Sequence, residues 1–236
     1  ENATLQPMTP VEIEARDGLT LVSYLTLPPG SDANGDARPE TPQPLVIAPH
    51  ADAWGRDSYG FNPTAQWLAN RGYAVLSVNF RGSSGFGKAF QNAGFHEWGG
   101  RMQDDLLDAL QWAIDNHVAR ADRVAIMGSG YGGYAALAGL TFTPNSFKCG
   151  VSLSGPANLS SMIDATPAYA TGLRDALYLR IGDPRVADGR VLLRDRSPIS
   201  RLNQIQSPLL LTTGGRAAAS LRGESDQIAQ TLATRR

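Results

Sequence analysis

Between an apolar run and a stretch of small residues lies Gly128-Ser-Gly-Tyr-Gly-Gly-Tyr134, the segment whose residue types and spacing best suit chemistry. Two chemistries compete for it. Gly128, Gly130 and Gly133 satisfy G-x-G-x-x-G between a predicted strand and a predicted helix, where backbone N–H groups and the helix dipole could hold a dinucleotide's pyrophosphate. That oxidoreductase reading lacks the acidic ribose partner about 20 residues further on. Residues 133 to 162 contain neither Asp nor Glu. The second pattern is G-x-S-x-G, a sharp strand-to-helix turn that lifts a nucleophilic serine for acyl transfer. Gly128 and Gly132 hold its outer positions, but Gly130 occupies the centre and Ser129 stands one residue early. Successive side chains at a strand end face opposite sides, so Ser129 is not expected at the usual attack position.

The elements that must position this turn read as an alternating chain. Val11 to Leu27 alternates apolar and polar residues on either side of Asp17-Gly18, which predicts an antiparallel hairpin. Strands are expected at 45–48, 74–79, 123–127, 149–154 and 209–213. One helix is punctuated by Asn62, Pro63 and Gly72; another runs from about Arg101 to His117 with Met102, Leu106, Leu110, Ala113 and His117 on one stripe. A small-residue helix follows Gly133, a long irregular section follows Ser154, and a last helix starts near Glu224. Strands alternating with helices imply a mostly parallel sheet with helices on both faces. The 236 residues suit one undivided α/β core.

Composition narrows the function classes. Lys and Arg total 21 against 22 Asp and Glu, a net charge of -1, so no broad field draws the chain to nucleic acid. No run is long and apolar enough for a membrane span, and Glu1-Asn-Ala-Thr4 does not begin a signal peptide. The expectation is a soluble chain, cytoplasmic or exported after removal of a leader. The single cysteine, Cys149, excludes an internal disulfide and reads as a buried small hydrophobe.

A family resemblance covers most of the chain. The run Arg56-Asp-Ser-Tyr-Gly-Phe-Asn-Pro through Phe80-Arg-Gly-Ser-Ser-Gly-Phe-Gly-Lys88 resembles the catalytic domain of the prolyl oligopeptidase family, in its acylaminoacyl-peptidase and dipeptidyl-aminopeptidase branch. So do Trp98 to Leu106, Ala135 to Pro144, Arg196-Ser-Pro198 and Glu224-Ser-Asp-Gln-Ile228. The resemblance implies an α/β-hydrolase fold, peptide-sized substrates, no cofactor and no metal. It also implies a β-propeller, of which these 236 residues carry no sign.

The departures from that pattern converge on the catalytic positions. The resemblance puts the nucleophile at Gly130 and the acid at Ala217, within Thr213-Gly-Gly-Arg-Ala-Ala-Ala-Ser220. The family's histidine would follow a further strand, beyond Arg236. The loop whose backbone N–H groups would face an oxyanion reads His50-Ala-Asp-Ala-Trp54 where the family has glycines. Asp52 within that loop, if close to the site, would also oppose a negative transition state.

All three histidines precede the turn. His50 ends a strand on the expected rim and is the best ligand contact of the three; His96 reads as a loop residue and His117 as packed at a helix end. Asp104, Asp105 and Asp108 read as helix-end charge and solvated surface rather than a metal cluster. Trp67 reads as core, whereas Trp54 is a candidate for a binding cavity. The expectation is therefore a peptidase-like domain that is catalytically silent or impaired and retains peptide or small acyl-ligand binding around His50, Ala51, Trp54 and Tyr131. An active hydrolase using Ser129, with the Tyr131 N–H as an oxyanion donor, is the alternative. The dinucleotide-binding oxidoreductase is the third reading.

Overall fold

The computed structural model describes residues 5–234; the chain start at Glu1 to Thr4, read above for a leader, lies outside the described residues. A hairpin of β1 (Met8–Glu14) and β2 (Thr20–Thr26) turns at Gly18, whose φ of 82° favours glycine. Next come β3 (Gln43–Ile47), α1 (Pro63–Ala69), β4 (Ala74–Val78), α2 (Lys88–Asn92) and α3 (Arg101–Asp115). The strand β5 (Ala119–Ser129) leads through Gly130 into α4 (Tyr131–Phe142), and β6 (Cys149–Leu153) follows.

The section expected to be irregular instead holds α5 (Leu159–Asp164), α6 (Thr171–Arg180), α7 (Ala187–Asp195) and a 3-10 segment, Pro198–Gln204. These helices are short and only weakly amphipathic in part, so tertiary packing rather than an obvious repeat selects them. After β7 (Leu209–Thr212), the last helix, α8 (Ala219–Ala233), begins before Glu224 because its first turn is built from Ala219 to Arg222.

The seven strands lie in the order β1-β2-β4-β3-β5-β6-β7. β1, β2 and β4 pair antiparallel, and the run from β4 through β7 is parallel. This is the expected mostly parallel α/β sheet with an N-terminal hairpin, and it is an α/β-hydrolase fold. Alternate residues divide between its faces. Leu45, Ile47, Ala74 and Leu76 join the main core with α3 and α4, whereas Val46 and Val75 pack with Ala65 and Leu68 of α1. Strand β5 obeys the same parity: Val124 and Ile126 face the main core, while Ala125 and Met127 face α1. β3 connects to β4 on one side and β5 lies on its other side, so the loops after β3 and β5 meet at a topological switch point.

Several sequence expectations are corrected here. Asp105 is not solvated: it is 0% exposed and accepts hydrogen bonds from Arg81, itself 2% exposed, at 2.6 Å from Nη2 and 2.9 Å from Nε. Arg81 also reaches Asp17 in the hairpin turn at 2.8 Å, so the pair ties the hairpin, the end of β4 and α3 together. Burial raises the Asp105 carboxyl, and the hydrogen bonds from Arg81 oppose that rise. Asp108 is not a free surface charge either, since it pairs with Arg16 at 2.7 Å. His117 is exposed, with φ of 59°, because α3 ends two residues earlier and the stripe ends with it. Trp67 is 50% exposed, since α1 buries Ala65, Leu68 and Ala69 and turns Trp67 away beneath the Arg71 guanidinium. Cys149 is half-buried rather than fully inside, and burial raises its thiol.

Candidate functional site

The turn after β5 depends on close backbone packing. A Cβ on Gly128 would meet Gly132 backbone at 2.6 Å, one on Gly132 would meet the Pro49 carbonyl oxygen at 2.3 Å, and one on Gly133 would meet Gly155 at 2.8 Å. The glycines therefore let α4 close onto β3, β5 and β6. At the tip Gly130 has φ 53° and ψ -119°, a strained elbow conformation for any other residue.

The loop after β3 covers this tip. Ala51 O accepts the Tyr131 N–H at 2.8 Å, and a Cβ on Gly130 would stand 2.7 Å from the same oxygen. The Tyr131 amide, named above as an oxyanion donor for the alternative reading, is thus bonded to a backbone carbonyl. A developing negative oxygen here would face another oxygen instead of that N–H.

Two cavities flank the tip. The first, of about 330 Å³, is lined by Gly130, Tyr131, Trp54, Trp98, Leu177 and Leu221, together with Asp52 and Glu224. Trp98 stands edge-on to Tyr131 with ring centroids 4.7 Å apart, and Trp54 lies 6.2 Å from Trp98. Glu224 is buried and accepts from Ala157 N at 2.7 Å, from Asn158 N at 3.1 Å and from the Ser161 hydroxyl. It thereby pins α8 to the start of α5. Sequence reasoning missed this role, although Glu224 opened one of the informative segments.

The second cavity, of about 260 Å³, lies on the α1 side and holds Ser129, His50, Asp57, Thr64 and Ser77. Ser129 follows the parity of Ala125 and Met127, which places it opposite the main core. The structure therefore separates Ser129 from Tyr131 and Trp54, while Ala51 borders both cavities.

His50 is held in this second cavity by both ring nitrogens. Nδ1 lies 2.6 Å from Asp52 O and Nε2 lies 3.0 Å from Ser83 Oγ. Because a carbonyl only accepts, Nδ1 carries the hydrogen; Nε2 lies against the Ser83 hydroxyl, whose own hydrogen goes to Phe80 O at 2.6 Å. The ring stacks on Phe80 at 4.3 Å, and burial lowers its pKa to about 4. Asp57 moves the other way, up to about 6, again through burial, and its Oδ2 has no partner among the described residues. Its backbone is fixed by Asn79, whose Oδ1 accepts the Asp57 N–H at 2.8 Å.

The remaining named residues lie apart. His96 is exposed and borders a separate cavity between α6 and α7. Ala217 is half-buried in the turn before α8 and donates its N–H to Gly214 O at 2.9 Å. Among the described residues no group of three or more His, Cys, Asp or Glu could hold a metal, and no helix is long and apolar enough to cross a membrane.

Comparison with known proteins places this geometry. The model of the prolyl oligopeptidase family matches residues 59–232. The chain is 53% identical over 232 residues to dipeptidyl aminopeptidase BIII of Pseudoxanthomonas mexicana, covering 98% of this chain and 34% of that protein. It is 40% identical to dipeptidyl peptidase family member 6 of Caenorhabditis elegans, covering 97% of this chain and 33% of that one. The chain thus spans about a third of the length of these relatives. Among solved structures, a Mycobacterium tuberculosis puromycin-hydrolyzing peptidase superposes with a TM-score of 0.86 at 28% identity, covering 98% of this chain and 35% of that one. These likenesses overturn the dinucleotide oxidoreductase reading. The physical reason is that the glycines serve helix–strand packing and the first amide of α4 is already bonded to Ala51 O.

Proposed function

The chain belongs to the prolyl oligopeptidase family, and on that premise we propose that it is a peptidase-like domain that binds peptide or small acyl ligands without covalent hydrolysis. The observation that carries this reading is the tip of the elbow: Gly130 offers no nucleophile, and Ala51 O takes the Tyr131 N–H at 2.8 Å. Ligand binding is supported by the adjoining cavity of about 330 Å³, with its aromatic walls and few polar groups. The names of the similar proteins, a dipeptidyl aminopeptidase and a puromycin-hydrolyzing peptidase, support peptides or aminoacyl compounds as the ligand class.

One observation favours a second reading. Ser129, His50 and Asp57 border the same small cavity, which supplies the residue types of a hydrolase. Against it stands the geometry: His50 Nε2 is turned to Ser83 Oγ at 3.0 Å, and among the described residues no hydrogen bond joins Ser129 to His50 or Asp57. The experiment is hydrolysis of dipeptidyl and acylaminoacyl p-nitroanilides. The first reading predicts a background rate unchanged in Ser129→Ala. Turnover that disappears in Ser129→Ala would establish the second.

A further inference from the structure

We infer that the second cavity, on the α1 side of the elbow, is a binding site for a primary alkylammonium group, with Asp57 as its counter-ion. This concerns a different cavity from the ligand-binding reading above and does not rest on it.

Asp57 carries the argument. It borders a cavity of about 260 Å³, and among the described residues no group donates a hydrogen bond to its carboxylate and no cation pairs with it. Burial alone acts on its pKa, with neither a hydrogen bond nor a positive charge to lower it. Oδ2 is shut away from solvent without a partner, which leaves Oδ1 as the oxygen a ligand can meet. A half-buried carboxylate in this state is costly, and a group that brings both positive charge and N–H donors relieves the cost. An alkylammonium brings one charge and three donors.

The other walls neither neutralise Asp57 nor favour an anion. Among the described residues no Lys or Arg lines the cavity, and Arg56, next to Asp57 in the chain, is turned onto the Phe86 ring at 5.0 Å. His50 is the other titratable wall, and burial lowers it to about 4, so it is neutral at pH 7. The start of α1 borders the cavity through Asn62 and Thr64 but offers an anion no free donor. Pro63 has no N–H, the N–H groups of Thr64 and Ala65 go to Asn62 Oδ1 at 3.0 Å, and that of Gln66 goes to Asn62 O at 3.0 Å.

The remaining walls suit the rest of such a ligand. Ser77 and Ser129 carry hydroxyls that can accept further ammonium hydrogens, and Leu68, Met127 and Leu153 give an alkyl stem apolar contact.

The test is an amide NMR titration of the intact protein at pH 7.5 with n-butylamine, n-butanol and butyrate, which share an alkyl stem and differ in charge. n-Butylamine should shift the amides of Asp57, Ser77 and Ser129 saturably and bind at least about tenfold more tightly than the other two. Asp57→Asn, which keeps the shape of the side chain, should weaken the amine about tenfold and leave the alcohol unchanged. Lowering the pH to 5 should weaken the amine about tenfold in the unaltered protein, because Asp57 takes up a proton near 6, before His50 does near 4. Ser129→Trp, at an exposed position that narrows the cavity without touching the carboxylate, should weaken the amine and the alcohol alike. Nα-acetyl-lysine amide and glycine amide carry the same group on a side chain and at a chain start; tighter binding of either supports the site and identifies its source. Butyrate binding as tightly as the amine, or amine binding indifferent to both Asp57→Asn and Ser129→Trp, would overturn the proposal. Absence of n-butylamine binding would overturn it too, and would leave the reading of the first cavity standing.

Discussion

The carbonyl oxygen of Ala51 accepts the backbone hydrogen of Tyr131 at 2.8 Å, across the tip where Gly130 stands. In an acyl-transfer site this amide would be turned to a developing oxyanion, and the residue at the tip would carry the nucleophile. Here one backbone contact occupies the amide and crowds the tip, so restoring a serine by itself meets both obstacles.

Gly130→Ser should therefore give no peptidase and should lower stability by about 1–3 kcal/mol, from the strained backbone of a non-glycine residue at the elbow together with the crowding against Ala51 O. Urea denaturation and p-nitroanilide hydrolysis measure the two effects. Turnover by this variant, or unchanged stability, would show that the loop after β3 yields readily.

Asp105→Ala should destabilise the fold by about 3–5 kcal/mol, because it leaves the buried Arg81 guanidinium without its main partner. Asp104→Ala, one residue earlier, half-buried and paired at 3.3 Å with the exposed Arg16, should cost about 1 kcal/mol or less. Comparable losses in the two variants would contradict the assignment of Asp105 as the inward member of the pair.

His50 and Asp57 should oppose each other in the pH dependence of stability. The folded pKa of His50, about 4, lies below its ordinary 6.5, so its contribution is present above 6.5 and is lost as pH falls toward 4. The folded pKa of Asp57, about 6, lies above its ordinary 3.8, so its contribution is present below 3.8 and is lost as pH rises through 6. Over the shared window the slopes cancel in large part. Asp57→Asn removes one of them, and its stability should rise from pH 4 to 6.5 more steeply than that of the unaltered protein. Urea midpoints across that range decide it; parallel curves would mean that Asp57 does not titrate as its burial implies.

The sheet and the helix around Asn62 were legible because their signals are local. Asp17-Gly18 marks a turn, Asn62-Pro63 marks a helix start, and Asn62 Oδ1 indeed accepts from Thr64 N and Ala65 N at 3.0 Å. The one-residue offset of Ser129 was legible for the same reason, since strand parity needs no tertiary information. What escaped was long-range. Asp104 and Asp105 are identical in composition, and only the approach of Arg81, 24 residues away in the chain, makes one of them interior. Glu224 sits within a helix and looks like any surface carboxylate until α5 brings Ala157 and Asn158 to it. The bond from Tyr131 to Ala51 depends on how a loop without glycine at 51 and 52 folds over the elbow, and no spacing in the sequence encodes that carbonyl's direction.

The central claim, that this elbow performs no covalent chemistry, is tested most directly by treating the protein with a fluorophosphonate probe and mapping any adduct by peptide mass. The account predicts no adduct on the peptide containing Ser129 after prolonged exposure. Stoichiometric labelling of Ser129, abolished in Ser129→Ala, would contradict it.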